Sequence, residues 1–150
     1  MKRVTTLVVS CLAAALLLSS FASAAQPLVK PKVTAKATPK KDLKGPRIFR
    51  VKGFVAPTAK VFSCAAGVTN LAYCSPASAA QICKGSVRIT IKRGLKTITR
   101  KTVKLTIKCA YSAKITIRKK MKHGTLKITS RFLGNGFVAA RNSSAVKVKV

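Results

Sequence analysis

The chain has 150 residues, enough for one domain with additional segments. It carries 31 lysine and arginine residues against one acidic residue, Asp42, so its formal net charge is +30. Ordinary cytosolic enzymes do not carry such a charge, and the electric field of this charge attracts polyanions. Because 48% of the residues are apolar, the composition excludes a solvated basic tail and predicts a packed core under a cationic surface.

The first 24 residues predict a secretory signal peptide. Lys2 and Arg3 precede an apolar stretch, and the Ala-Ser-Ala sequence at 22–24 fits a cleavage site, with cleavage after Ala25 as the near alternative. An uncleaved membrane anchor is less favoured because the apolar run is short for a membrane span. Lipidation at Cys11 is less favoured because most of the run follows that residue. We therefore predict a secreted protein, with attachment to the cell surface left open.

Residues 25–46, "AQPLVKPKVTAKATPKKDLKGP", contain mainly Pro, Lys, Ala and Thr without periodicity. This composition predicts a flexible, charge-extended linker. The linker would serve as a spacer before a domain at 47–150, or as a second, mobile polycation.

The segment "RIFRVKGFV" alternates with a period of two, which predicts a strand that Pro57 ends. The residues on its inward side are Phe49, Val51, Gly53 and Val55. The residues on its outward side are Arg50, Lys52 and Phe54.

Residues 58–82 lose this alternation and form an irregular, cysteine-containing insertion. Ser75 as N-cap and Pro76 at the first helical position predict a helix of one or two turns between Cys74 and Cys83. We expect the insertion to pack on the domain rather than to project from it.

The period-two pattern returns after Cys83. Gly94 in "KRGLK" predicts a hairpin turn, and the apolar parity then switches, which requires a bulge or strand change near Arg100 and Lys101. The combined run after the switch is too long for one strand, so we expect a turn near 110–112. The inward residues before the switch are Val87, Ile89, Ile91 and Ile98. Those after it are Val103, Leu105, Ile107, Tyr111, Ala113, Ile115 and Ile117.

The remaining segments complete an all-β pattern. "RKKMKHG" is a cationic turn and "GNG" at 134–136 a loop. The inward residues of the flanking strands are Leu126, Ile128, Phe132, Val146, Val148 and Val150. About seven short strands in roughly 105 residues, with no helix long enough for a crossover, predict an antiparallel β-sandwich.

The segment "GTLKITSRFLGNGFVAARNSSAVKVKV" resembles the last two strands of bacterial immunoglobulin-like repeats, with Phe132 where tyrosine is common and Gly134-Asn135 after it. "CKGSVRITIKRGLKTITRKTVKL" is similar to an earlier strand–turn–strand unit of a cysteine-containing variety in secreted actinobacterial proteins. The resemblance covers residues 83–150 and, more weakly, 47–56. The resemblance implies an Ig-like fold and indicates almost nothing about activity.

Four cysteines remain after removal of the signal peptide, and they allow three pairings. Cys83 and Cys109 share the inward parity of their neighbours, and the hairpin at Gly94 brings them close. We therefore predict the pairs Cys83–Cys109 and Cys64–Cys74, which a Cys74–Cys83 link would overturn. A zinc site is the alternative, but the spacings are wide and the one histidine, His123, is isolated.

The sequence offers little for catalysis, since Asp42 lies in the predicted linker and His123 in a cationic turn. We expect no enzyme activity, no cofactor, no metal and no small-molecule substrate. Calcium sites need several carboxylates, and one acidic residue excludes them. The sequon at 142–144 is attributed to chance.

Outward cations alternate with the predicted core, and they are Arg88, Lys92, Lys104, Lys108, Lys127, Arg131, Lys147 and Lys149. One interpretation is that they only keep the protein soluble and its edges unpaired. The near-complete exclusion of acidic residues favours attraction to a polyanion instead, namely anionic cell-wall glycopolymers or an anionic lipid surface. Extracellular nucleic acid and a purely structural spacer are the other hypotheses. The sequence does not indicate an oligomeric state.

Overall fold

A computed structural model describes residues 28–39, 47–65, 71–117 and 124–150. The predicted signal peptide, the linker portions 25–27 and 40–46, Asp42, and residues 118–123 of the cationic turn with His123 lie outside these ranges. Residues 66–70 of the predicted insertion lie outside them as well.

The described residues form eleven strands, one short α-helix and a 3-10 turn. The strands are β1 (Pro31–Val33), β2 (Lys36–Thr38), β3 (Arg47–Pro57), β4 (Phe62–Ser63), β5 (Ser75–Pro76), β6 (Ser86–Arg93), β7 (Lys96–Lys104), β8 (Ala110–Ile117), β9 (Thr125–Phe132), β10 (Arg141–Asn142) and β11 (Val146–Lys149). The helix is α1 (Ala79–Ile82), and the 3-10 turn spans Leu71–Tyr73. The all-β class is confirmed. Six strands have four or more residues, where the sequence predicted about seven in total.

The strands form two main antiparallel sheets. In the first sheet, β3 pairs with β8 along one edge and with β1 and β2 along the other. In the second sheet, β6 lies between β7 and β9, and β9 pairs on its far side with β10 and β11. The strands β4 and β5 form a small separate ladder.

Both sheets contribute side chains to one hydrophobic core. Phe49 and Val51 of β3 and Ile89 and Ile91 of β6 are fully buried in it. The predicted alternation is confirmed along β3, β6, β8, β9 and β11, whose inward residues are buried or partly buried. Removing this apolar surface from water is the main stabilising contribution to the fold.

The structure differs from the predicted linker at residues 28–39. There β1 and β2 pair with β3, and Val33 and Ala37 belong to the core. The backbone of Val29 is also hydrogen-bonded to residues 137 and 139. Two buried apolar residues separated by Thr34, Ala35 and Lys36 give too short a pattern to indicate strands, and pairing with β3 supplies the missing stabilisation.

The insertion packs on the domain as expected, since Val61 is buried and Ile82 packs against the core. The helix is present, but its N-cap is Ser78 and not Ser75, which lies in β5. Ser78 and Gln81 form a capping box, in which each side chain accepts a hydrogen bond from the other residue's backbone N–H. This pair of bonds outweighs the single cap that Ser75 offers.

The hairpin at Gly94 is confirmed, with a positive φ of 56° at that glycine. The predicted bulge is also present, but it lies at Ile98, where the partners of Ile91 and Lys92 change from Thr99 to Thr97. The following turn spans 105–109 rather than 110–112. Ile107 lies in that turn and is exposed, so the prediction that it faces inward is wrong.

Candidate polyanion-binding face

The outward side of the second sheet collects most of the predicted binding residues. Outward positions of β6, β7, β9 and β11 carry exposed cations, and Arg100 of β7, which the prediction omitted, joins them as the partner of Thr90. We call this set the cationic face: Arg88, Lys92, Arg100, Lys104, Lys127, Arg131, Lys147 and Lys149. It contains seven of the eight predicted residues. The eighth, Lys108, lies in the turn at 105–109 and is not part of the face.

Like charges lie directly opposite one another on the cationic face. Arg88 is the cross-strand partner of Arg131, and Lys127 is the partner of both Lys92 and Lys147. Directly opposed residues have Cβ atoms about 5 Å apart, and like charges in such positions destabilise a sheet. The described ranges contain no aspartate or glutamate, so no such side chain among them relieves this repulsion.

Five of the eight cations are arranged in two rows that run across the strands. Arg88 and Arg131 form an arginine row, and Lys92, Lys127 and Lys147 form a lysine row. The pair Thr90–Thr129 lies between the rows. Four residues along a strand separate the rows, which corresponds to about 13 Å. Within a row, the strands are about 4.8 Å apart.

The first sheet carries a smaller cationic surface that the predicted set omitted. On its outward side Lys36 is the partner of Lys52, and Arg50 is the partner of Lys114. The alternation in "RIFRVKGFV" marks Arg50 and Lys52 as outward. Lys36 lies in the predicted linker, where no alternation marks it, whereas Lys114 stands between the predicted inward residues Ala113 and Ile115 and is outward by the same alternation.

Both predicted disulfides are confirmed. Cys83 is bonded to Cys109 and Cys64 to Cys74, with Cα atoms 4.6 Å and 4.5 Å apart. Cys83 is the buried C-cap residue of α1, three residues before the start of β6, and Cys109 directly precedes β8. This bond therefore fixes the strand that carries Arg88 and Lys92 to the first sheet.

A hydrogen bond between Tyr111 and Thr34 attaches the N-terminal strands to the core. The Tyr111 hydroxyl of β8 donates to the Thr34 carbonyl at 2.5 Å, and Gly53 lies beneath this contact. A Cβ atom on Gly53 would lie 2.0 Å from the Thr34 carbonyl oxygen. Burial raises the pKa of Tyr111, and the neighbouring Ser130 hydroxyl opposes only part of that rise.

The described ranges contain no group of three or more histidine, cysteine, aspartate or glutamate residues suited to a metal ion. None of the helices in those ranges has the length and apolar character needed to cross a membrane. The lysine and arginine side chains of the cationic face offer positive charge and hydrogen-bond donors.

Comparison of the chain with protein-family models, curated proteins and solved structures gives no match.

Proposed function

We propose that this chain is an exported, non-catalytic module that binds anionic glycopolymers of the cell envelope through the cationic face. The observation that carries the proposal is the direct opposition of like charges in the pairs Arg88–Arg131, Lys92–Lys127 and Lys127–Lys147. A bound polyanion converts this repulsion into attraction, because each anionic group lies between two cations.

The geometry of the rows favours a flexible linear polymer. The lysine row presents three cations at roughly one strand spacing each, about 4.8 Å. A chain of repeating anionic units lying across the strands meets several of these cations in succession. The binding would depend on the charge and flexibility of the polymer rather than on its stereochemistry, and it would weaken as salt is added.

The absence of aromatic residues from the described part of this face favours a glycopolymer over single-stranded nucleic acid. The large exposed aromatic residues within the described ranges are Phe54 on β3 and Tyr73 in the 3-10 turn, both outside the second sheet. Base stacking on aromatic side chains contributes much of the affinity of single-strand binders. Nucleic acid would therefore bind here only through its phosphates.

Further support comes from the arrangement of the domain. We propose that it is an Ig-like β-sandwich of the bacterial kind, because two antiparallel sheets contribute to one core and the β6–β7 hairpin has its turn at Gly94. The two disulfides are consistent with an extracellular environment. Export through the N-terminal segment would bring the cationic face to the envelope, where the anionic polymers are.

Binding measurements on three polyanions test the proposal. The mature protein is mixed with purified cell walls, anionic phospholipid vesicles and duplex DNA over a series of salt concentrations. We expect the strongest binding to cell walls, with an affinity that falls steadily as salt rises. Stronger binding to DNA or to vesicles would assign the face to that polyanion instead. Negligible binding to all three at low salt would leave only a structural spacer.

A further inference from the structure

A cleft at one edge of the molecule lies between the two sheets. Residues 32–35 of the first sheet form one wall, and the segment 141–146 of the second sheet forms the other. We call this the edge cleft. Its volume is about 350 Å³, which is in the range of small-molecule binding sites.

The edge cleft combines charge, hydrogen-bond donors and apolar surface. Lys32 and Arg141 supply one positive charge from each wall, and Asn142 and Ser144 supply an amide and a hydroxyl. All four residues are exposed, so a ligand can reach their donors. Ala145 and its apolar neighbours complete the lining.

Hydrogen bonds on both sides hold the walls in place. On one wall, Thr34 accepts hydrogen bonds from the Tyr111 hydroxyl and from the backbone N–H of Phe54. On the other, the Ser143 hydroxyl accepts from the Ser130 backbone N–H at 3.0 Å and donates to the Ser144 carbonyl. A preformed cleft loses little conformational entropy when a ligand binds.

The arginine row and the edge cleft meet at Asn142. Asn142 is the cross-strand partner of Arg131, which in turn is the partner of Arg88. Asn142 also lines the cleft. A polymer lying along the arginine row therefore ends beside the mouth of the cleft.

We propose that the edge cleft binds a single phosphate monoester of a sugar or polyol, such as the phosphorylated end of an envelope polymer. Lys32 and Arg141 match the double charge of a phosphate monoester, and Arg141 is suited to bidentate contact with its oxygens. Asn142 and Ser144 would bind hydroxyl groups of the carrier, whose C–H surface would lie on Ala145. The inference that the monoester is the end of an envelope polymer rests on the proposed function. The inference that the cleft binds a monoester does not.

The experiment is an NMR titration of the isotope-labelled mature protein with glucose 1-phosphate and glycerol 3-phosphate, and with glucose and inorganic phosphate as references. We expect chemical-shift changes concentrated at residues 32–35 and 141–146. Either phosphate ester should bind more tightly than both references, and the tighter ester identifies the carrier. Inorganic phosphate binding as tightly as the esters, or shift changes spread over all cationic surfaces, would overturn the proposal.

Paired variants complete the test. The double substitution Lys32→Gln with Arg141→Gln should weaken ester binding about tenfold or more, because two charge-assisted contacts are lost. Lys52→Gln with Lys114→Gln removes the same charge from the first sheet and should leave ester binding within about twofold. Equal losses in both variants would contradict a defined site. Binding of wild-type protein to cell walls, measured in parallel, tests the proposed function separately, since the ester can bind even if the polymer does not.

Discussion

Arg88 and Arg131 are direct cross-strand partners on the outward side of the second sheet. Their guanidinium groups repel each other, so this pair opposes folding of the very sheet on which it lies. A surface that serves only solubility does not require opposed like charges. The pair therefore lowers the stability of the sheet, and we attribute its presence to binding.

Replacement of Arg131 by threonine should stabilise the protein while weakening polyanion binding. We expect the free energy of unfolding to rise by about 0.3 kcal/mol at low salt, because the repulsion with Arg88 is removed. Denaturant unfolding in low and in about 1 M salt measures the effect, which should vanish in high salt because the charges are screened. Lys108→Thr, in the turn, is the control and should show no such salt-dependent gain. A loss of stability in Arg131→Thr at low salt would contradict the interpretation.

The two disulfides should contribute unequally to stability. Their sequence separations are 26 residues for Cys83–Cys109 and 10 for Cys64–Cys74. The chain-entropy model gives about 3.5 and about 2.7 kcal/mol for closing loops of these lengths. We expect the paired alanine variant at Cys83 and Cys109 to lose more stability in denaturant unfolding than the one at Cys64 and Cys74. The reverse order would indicate that the insertion, rather than the β6–β8 connection, governs the stability of the domain.

Gly53→Ala should destabilise the domain by about 2 kcal/mol or more, because the new methyl group collides with the Thr34 carbonyl and the Tyr111 hydroxyl. A Cβ atom on Gly136 has no atom within 4 Å, so Gly136→Ala is the matched control. The control should be neutral or slightly stabilising, since alanine restricts the unfolded chain. Thermal unfolding of both variants measures the difference. Equal melting temperatures would show that residues 28–39 are not docked on β3 as described.

Tyr111→Phe should show a pH-dependent loss of stability. At neutral pH we expect a loss of about 1 kcal/mol, because the hydrogen bond to Thr34 is removed. Burial raises the pKa of Tyr111 in the folded protein. The contribution of the hydroxyl to stability is therefore fully present below the pKa of unfolded tyrosine, about 10, and is lost as the pH rises through the pKa of the folded state. The difference between wild type and variant should therefore shrink above about pH 10. A constant difference would contradict the burial of the hydroxyl.

Much of the core could be predicted from periodicity alone. The period of two predicts the burial of Phe49, Ile89, Ile128 and Val148, because a strand with one buried face repeats every two residues, and all four are buried. The disulfide partners followed from parity and the position of the hairpin. The exact position of the bulge could not be predicted in this way, because Ile98 and the threonines beside it can face either side of an edge strand.

The candidate site could be predicted only as a list of residues. Alternation placed Lys92 and Lys127 outward, but it contains no information on which strands become neighbours. Strand order brought them opposite each other and excluded Lys108. The edge cleft was beyond sequence analysis, because its two walls come from residues more than 100 positions apart, one of them in the supposed linker.

Charge-matched variants on the two sheets test the central claim most directly. One variant replaces the lysine row, Lys92, Lys127 and Lys147, with glutamine, and the other replaces Lys36, Lys52 and Lys114 on the first sheet. Both remove three exposed positive charges, and binding to purified cell walls at fixed salt is compared. We predict that the first variant loses about tenfold or more in affinity and the second less than about threefold. Equal losses would contradict a specific binding face and leave only the overall charge of the protein as the cause.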